Sequence, residues 1–393
     1  MKNSFNSIIL IRNKFYSISL FLLLILLVKL TIFDVGNIFL GPLFFILYLV
    51  LALKQKFDLK KISVFLFYFI ISLAASIIFS HNDFLKLFSE ILSIILFLAI
   101  IPSIRISEAE INKLFRMICF ITFIMIVLRT LINLGIYNNN SYIFVNKNSW
   151  AQSLLFPMFI SFYLFRRYQE KIYCLMSILL IFLIMVSASR TAIIAAGAFY
   201  TMYFLLVNKR KKYKILLSVV IMLLAISIIF TNVDITNYLS DYYIRSEYNL
   251  LTNRNELWKV AINTFSNSPV FGVGRGKAEE IILSSYIGMK NSEYHSFYYE
   301  ILVYGGLVSF LFYIYIFLNA LKNGFRLLGN KKKIGEIVIS AAVAMLIYML
   351  AETFYPFGFS YNNVISGLLI FSIPLAYLRG NITIEDNRMG VIE

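Results

Sequence analysis

Charge is scarce in this chain. Charged side chains make up 14% of its 393 residues and hydrophobic ones 60%, against about 25% and 45–50% in a soluble globular domain. That composition excludes an ordinary soluble enzyme and points to an integral membrane protein. Acidic residues are the scarcer sign, 20 against 36 basic, for a net charge of +16. In a soluble chain this balance would suggest nucleic acid. In a membrane protein Lys and Arg collect in cytoplasmic loops, so no nucleic-acid partner is expected. Cysteine is nearly absent. Cys119 and Cys174 both lie in apolar runs, which excludes a disulfide framework and a thiolate metal site. The two histidines, His81 and His295, have no company suited to zinc, so no metal and no cofactor are expected.

What is abundant is apolar sequence in long runs. A span needs about 20 mostly apolar residues, and between Ser17 and Leu378 the chain offers about twelve such runs. They are too long and too uniform for barrel strands, so the spans are helices. Lys2, Arg12 and Lys14 precede the first run as in a signal peptide, but no small-residue cleavage site follows, so the run is read as a retained span. The connectors alternate in charge. Lys54, Lys56, Lys60 and Lys61 fall after the second span, and Arg105, Lys113 and Arg116 after the fourth. Arg166, Arg167 and Lys171 follow the sixth, Lys209 to Lys214 the eighth, and Lys322, Arg326 and Lys331 to Lys333 the tenth. This is the positive-inside pattern with both termini cytoplasmic. The fold expected is an all-α integral membrane protein of about twelve transmembrane helices. Residues 1–230 hold nine spans, 231–296 form one large extracytoplasmic loop with short helices, and 297–393 hold three spans and a short cytoplasmic tail. The connector Pro102–Arg116 looks amphipathic and reads as an interfacial helix or a solvated link. No internal repeat is visible.

Ionisable residues at membrane depth are functional candidates by default. Lys86 and Glu90 stand four apart in the fourth span and can pair along one helix face. Lys29 reads as a side chain snorkelling outward. Arg129, in the outer half of the fifth span, is either paired structurally or faces a substrate phosphate. Arg190, in Ser187-Ala188-Ser189-Arg190-Thr191, is a basic residue in an otherwise base-poor outer connector. Its planar fork of donors suits phosphate, and an interface anchor is the alternative. Glu352, near the outer end of the eleventh span, could counter an arginine or act on substrate.

The loop carries the densest polar sequence. Asn253 with Glu256 resembles a capping box, opening a helix with Trp258, Ile262 and Phe265 along one apolar face and Pro269 ending it. Arg254 in the first turn is poorly placed for the helix dipole, but a helix N-terminus beside a guanidinium makes an anion site. Gly272-Val273-Gly274-Arg275-Gly276 is not a nucleotide loop, since no buried strand precedes it. Its glycines read as a tight turn bringing backbone close to something. Arg275 is a second phosphate ligand or a charged turn residue. His295, in Glu293-Tyr294-His295-Ser296, meets the membrane surface, where a neutral imidazole could take a proton from a hydroxyl or simply hydrogen-bond at the interface. His81 reads as incidental in a short turn.

Taken in order, Ser187-Ala188-Ser189-Arg190, Asn253-Arg254-Asn255-Glu256-Leu257-Trp258, Ser268-Pro269-Val270-Phe271-Gly272-Val273-Gly274 and Glu293-Tyr294-His295-Ser296 resemble the signatures of the O-antigen ligase and polysaccharide polymerase family of bacterial membrane glycosyltransferases. The resemblance runs from about Trp150 to Gly306. It implies metal-independent transfer of glycan from undecaprenyl pyrophosphate on the outer face of the cytoplasmic membrane. Arg190 and Arg254 would bind the pyrophosphate, and His295 would orient or deprotonate the acceptor hydroxyl. Arg275, Arg129, Glu352, Trp258 and Tyr294 are the further candidates for substrate binding. The expected partner is an undecaprenyl-pyrophosphate-linked oligosaccharide as donor and acceptor, with a chain-length regulator and a flippase as candidate protein partners. Polymerase is the leading reading. The alternatives are a ligase delivering glycan to lipid A core, and a lipid-linked sugar transporter, which would favour paired halves that the chain lacks.

Overall fold

A computed structural model describes residues 84–104, 106–136, 147–187, 189–207, 254–285, 293–357 and 361–383. The side chains of 84–89, 128–136, 147, 361 and 383 are not among those described. The first three spans, the ninth, Lys29, His81, Asn253 and the side chains of Lys86 and Arg129 therefore lie outside the described residues.

The described chain is almost wholly helical. Its helices are α1 (Phe84–Ile95), α2 (Glu108–Ile136), α3 (Lys147–Tyr168), α4 (Lys171–Val186), α5 (Arg190–Val207), α6 (Arg254–Asn267), α7 (Arg275–Ser285), α8 (Phe297–Gly329), α9 (Lys333–Tyr348), α10 (Tyr361–Ser366) and α11 (Ile373–Leu378). A π-helical turn, Gly367–Ser372, joins α10 to α11. The one sheet among the described residues is a parallel pair of two-residue strands, β1 (Ile106–Ser107) and β2 (Ile382–Thr383). Two of the described helices, α5 and α8, are long and apolar enough to cross a membrane.

The connector before the fifth span is neither an interfacial helix nor a solvated link. From Glu108 it is the first part of α2, a 29-residue helix running on to Ile136. A reciprocal capping box starts it: the Ser107 amide donates to Glu110 Oε2 at 2.7 Å, and the Glu110 amide donates to Ser107 Oγ at 3.3 Å. Ile111 and Phe115 are buried. Their burial recruits the stretch into the packed bundle.

The bundle closes around α9, whose residues from Ile337 to Ala342 are all buried. Ala192, Ala195 and Ala196 of α5 and Ala341, Ala342 and Ala344 of α9 are buried where the two helices pack. Small side chains let helix backbones approach closely, which is how helices gain contact when lipid supplies no hydrophobic drive. On α3 and α5, Phe159 stacks on Phe199 with ring centroids 4.2 Å apart. Helix α4 turns Ile172, Leu175, Ile178, Phe182, Met185 and Val186 outward, as a lipid-facing helix does.

The two ends of this bundle differ. At one end Arg116 meets Glu170 and Arg167 meets Glu108, Arg166 lies by Glu336, and Arg379 reaches Ser103. At the other end the first turns of α3, α5 and α6 converge with the turn after α9, through contacts given below. Among the described residues, Arg116, Arg166, Arg167 and Arg379 thus gather away from the candidate site.

Candidate active site

Glu352 is the centre of the site. It lies in the turn after α9, past the helix that ends at Tyr348, and its carboxylate is nearly buried. Arg254 Nη2 donates to Glu352 Oε1 at 2.7 Å, and Arg254 Nη1 donates to the Ala351 carbonyl. Asn148 Nδ2 donates to the same Oε1 at 2.8 Å, and the Thr191 hydroxyl also hydrogen-bonds the carboxylate. Asn148, Thr191 and Arg254 each stand in the first turn of a helix, α3, α5 and α6 in order. Three helix N-termini, each carrying partial positive charge, therefore surround one acidic group and one guanidinium. Arg190 opens α5 beside Thr191 and is exposed.

His295 belongs to the segment that docks on the same turn. The Phe297 amide is shared between the Met349 and Glu352 carbonyls, at 3.1 and 3.3 Å, which fastens the His295 segment to the Glu352 turn. His295 has φ +53°, a left-handed conformation uncommon outside glycine. Such strain persists where surrounding contacts over-determine it, and it concentrates at functional sites. Burial, and then the nearby positive charge of Arg254, hold its imidazole pKa below the ordinary histidine value. The neutral ring, able to accept a proton, is the resting form.

Beneath His295 a second carboxylate ties the site together. Glu300, fully buried in the first turn of α8, accepts the Tyr294 amide at 3.2 Å and the Thr353 hydroxyl at 2.6 Å on Oε1. Its Oε2 accepts the Tyr355 hydroxyl at 2.7 Å. One side chain thus fixes the residue before His295 and the residue after Glu352. Nothing in the sequence singled out Glu300. It stands four residues past the Ser296 N-cap, where a first-turn carboxylate reads as ordinary helix chemistry. Asn148 lies in an Asn-rich connector, a composition that by itself marks only a turn.

The other candidates fall around this centre. Trp258 donates its indole N–H to the Tyr294 carbonyl at 3.1 Å and stacks on Tyr299 at 5.3 Å. Tyr294 is wholly buried with Leu257, Ala261, Ala278, Ile282 and Val303 in a small core of α6, α7 and α8. Burial pushes its hydroxyl pKa up to about 12. Arg275 opens α7, pairs with Glu279 at 3.1 Å, and lies 5.7 and 5.5 Å from the Tyr304 and Tyr355 ring centres. It is not among the side chains bonded to Glu352. Glu90, weighed beside Lys86, accepts the Tyr313 hydroxyl. The apolar face of α6 is one residue off the sequence reading. Leu257, Ala261 and Thr264 are buried, whereas Ile262 is exposed, because α6 lies on Tyr299 and Val303 of α8.

Gly272 and Gly306 explain how the loop docks. Gly272 has φ +67° and Gly306 φ +61°, and Gly306 marks a kink inside α8. A Cβ on Gly272 would come within 2.4 Å of the Val303 carbonyl oxygen, and one on Gly306 within 2.3 Å of that of Val270. The backbones pair across this contact. Val273 and Gly274 amides donate to the Val303 and Tyr304 carbonyls at 2.8 and 3.0 Å. Leu307 and Val308 amides donate to those of Pro269 and Val270 at 2.8 and 3.2 Å. The expected close approach is real, and its object is the kinked span.

Residues 175–314 match the family model described as O-antigen ligase. Over these residues the chain is similar to the O-antigen ligase and polymerase family, whose members are glycosyltransferase-like membrane enzymes acting on O-antigen. The matched stretch contains Arg190, Arg254, Trp258, Arg275, Tyr294, His295 and Glu300. Asn148 and Glu352 lie outside it. No curated protein matches the chain.

Proposed function

We propose that the protein is a polysaccharide polymerase. It joins oligosaccharide repeat units carried on undecaprenyl pyrophosphate, on the outer face of the cytoplasmic membrane. The observation that carries this reading is the meeting of Arg254, His295, Glu352 and the Arg190 turn at the end of the bundle away from Arg116, Arg166 and Arg167. In this reading the chain has about twelve spans, with 231–296 as the extracytoplasmic loop and both termini cytoplasmic.

The acceptor hydroxyl attacks the anomeric carbon of the donor glycan. The new C–O bond forms as the bond to the pyrophosphate breaks, and the electron pair leaves with the phosphate. His295 takes the hydroxyl proton. Arg190 and Arg254 offset the charge growing on the leaving group. A guanidinium has five N–H donors, so Arg254 can address phosphate while keeping its contact to Glu352. A single displacement inverts the anomeric centre. Arg275, Arg129 and Trp258 stand in this reading as further contacts to the substrate, and Tyr294 as support for the loop that carries His295.

The test is a gene deletion in the host, complemented by wild type, His295→Ala, Arg190→Ala and Arg254→Ala at matched membrane abundance. Surface glycan is then sized on a gel. A ladder collapsing to single repeat units on their normal acceptor establishes polymerisation. Long glycan stranded on the lipid carrier identifies a ligase instead. Unchanged ladders in all three variants overturn the site.

A further inference from the structure

We infer that the turn between α6 and α7 dips into the bilayer, so that Val270 and Phe271 contact acyl chains of the outer leaflet. Depth is the first argument. From Ile301 to Leu321 α8 carries no charged side chain, with Glu300 before it and Lys322 after it. At 1.5 Å per residue this stretch is about 30 Å long, the thickness of a hydrocarbon core. The turn docks on Gly306, Leu307 and Val308, some 7–10 Å inside the outer end of that stretch.

Surface chemistry is the second. Val270 and Phe271 are 50% and 48% exposed. They continue a stripe of exposed apolar side chains down one face of α8, made by Leu307, Leu311, Tyr315 and Leu318. No residue from Val260 to Gly274 is charged. The charges resume on the bodies of α6 and α7, where Lys259 pairs with Glu256 and Lys277 with Glu280 at exposed positions.

Backbone polarity is the third. Irregular backbone survives at membrane depth only where its polar groups are satisfied by protein. Here the Pro269 and Val270 carbonyls and the Val273 and Gly274 amides are all taken up by α8. The Gly272 amide donates to the Ser268 carbonyl at 3.0 Å, and Ser268 Oγ donates to the Gly272 carbonyl at 2.7 Å. The glycine kink in α8 supplies these partners, which a regular helix would have kept for itself. The result is a shallow re-entrant turn that anchors the loop just inside the hydrocarbon boundary of the outer leaflet.

This inference does not depend on the reaction catalysed, and its test needs no activity. Phe271→Cys, Val270→Cys, Lys259→Cys and Leu311→Cys are each made in a chain whose Cys119 and Cys174 are replaced by Ala. They are labelled with an environment-sensitive fluorophore and placed in phosphatidylethanolamine–phosphatidylglycerol vesicles. Some vesicles carry nitroxide lipids spin-labelled near the headgroup, others near the chain end. The label at 271, and its neighbour at 270, should emit blue-shifted and be quenched best by the shallow nitroxide. The label at 311 should be quenched best by the deep one. That at 259 should be quenched only by aqueous iodide. Equal reaction of the cysteines at 271 and 259 with an impermeant maleimide overturns the inference. So does a shielded label at 270 and 271 that neither nitroxide quenches, which would mean that protein, such as a second copy of this chain, covers the turn.

Discussion

The guanidinium of Arg254 and the carboxylate of Glu352 pair at 2.7 Å, with side chains only 14% and 9% exposed. The residue that the sequence marks as a phosphate ligand is thus held, at rest, by an acid from a distant turn. The pair joins α6 to the turn after α9, and the charge of Arg254 is felt at His295. Removing one partner of a buried pair leaves an uncompensated charge and costs about 3–5 kcal/mol. Glu352→Ala should therefore lower the thermal midpoint in detergent well below wild type. Glu352→Ala with Arg254→Met should recover much of that loss, since no lone charge remains. A double variant as unstable as the sum of the singles would show that the pair is not a unit.

Glu300 should matter through position. Truncation to Ala strands the Tyr294 amide and the Thr353 and Tyr355 hydroxyls, at about 1–3 kcal/mol for each buried unpaired donor. Glu300→Gln keeps the shape and one acceptor, so it should be milder. In glycan synthesis by membrane preparations, Glu300→Gln is expected to lower kcat with KM little changed, because it loosens His295 rather than the proposed phosphate ligands Arg190 and Arg254. Equal rates for wild type and Glu300→Gln would remove Glu300 from the positioning of His295.

The paired glycines make a sharp structural test. Gly272→Ala or Gly306→Ala places a methyl against backbone at under 3 Å, in a left-handed conformation. A strained φ alone costs about 1–3 kcal/mol, and the contact must also part. Each variant should open α6 and α7 to protease, while the end with Arg116 and Arg167 stays protected. Wild-type cleavage kinetics in both variants would contradict the docking.

The pH dependence has a definite sign. His295 is held below the ordinary histidine pKa, by burial first and then by Arg254. The folded state favours the neutral ring. Its stabilising contribution is present above the unfolded value of about 6.5 and is lost as pH falls through the lower folded value. The thermal midpoint of wild type relative to His295→Gln should therefore fall on the acid side. Synthesis should lose rate over the same acid range and be flat from neutral pH to above 7. A rate that rises on acidification would exclude proton acceptance by the neutral ring.

Much of this protein was legible in the chain alone. Composition pointed to helices in a membrane, because so few charges cannot clothe a soluble surface, and two described helices are long and apolar enough to cross one. Local patterns marked the basic connectors, the end of α6 before Pro269, and the pair of arginines with His295, since each depends on neighbours in sequence. The glycine turn was also visible, because positive φ is a local demand.

Tertiary structure decided the partners. Glu352 belongs to Arg254, Asn148 and Thr191, contributed by three separate helices. Glu300 links segments on either side of the site, and Gly272 finds its match in Gly306. The buried face of α6 shifted by a residue for the same reason: periodicity in sequence shows that a face exists, but the surface of α8 fixes which residues point into it. Burial then tunes the chemistry, since whether an imidazole rests neutral depends on the water and the charges that the fold leaves around it.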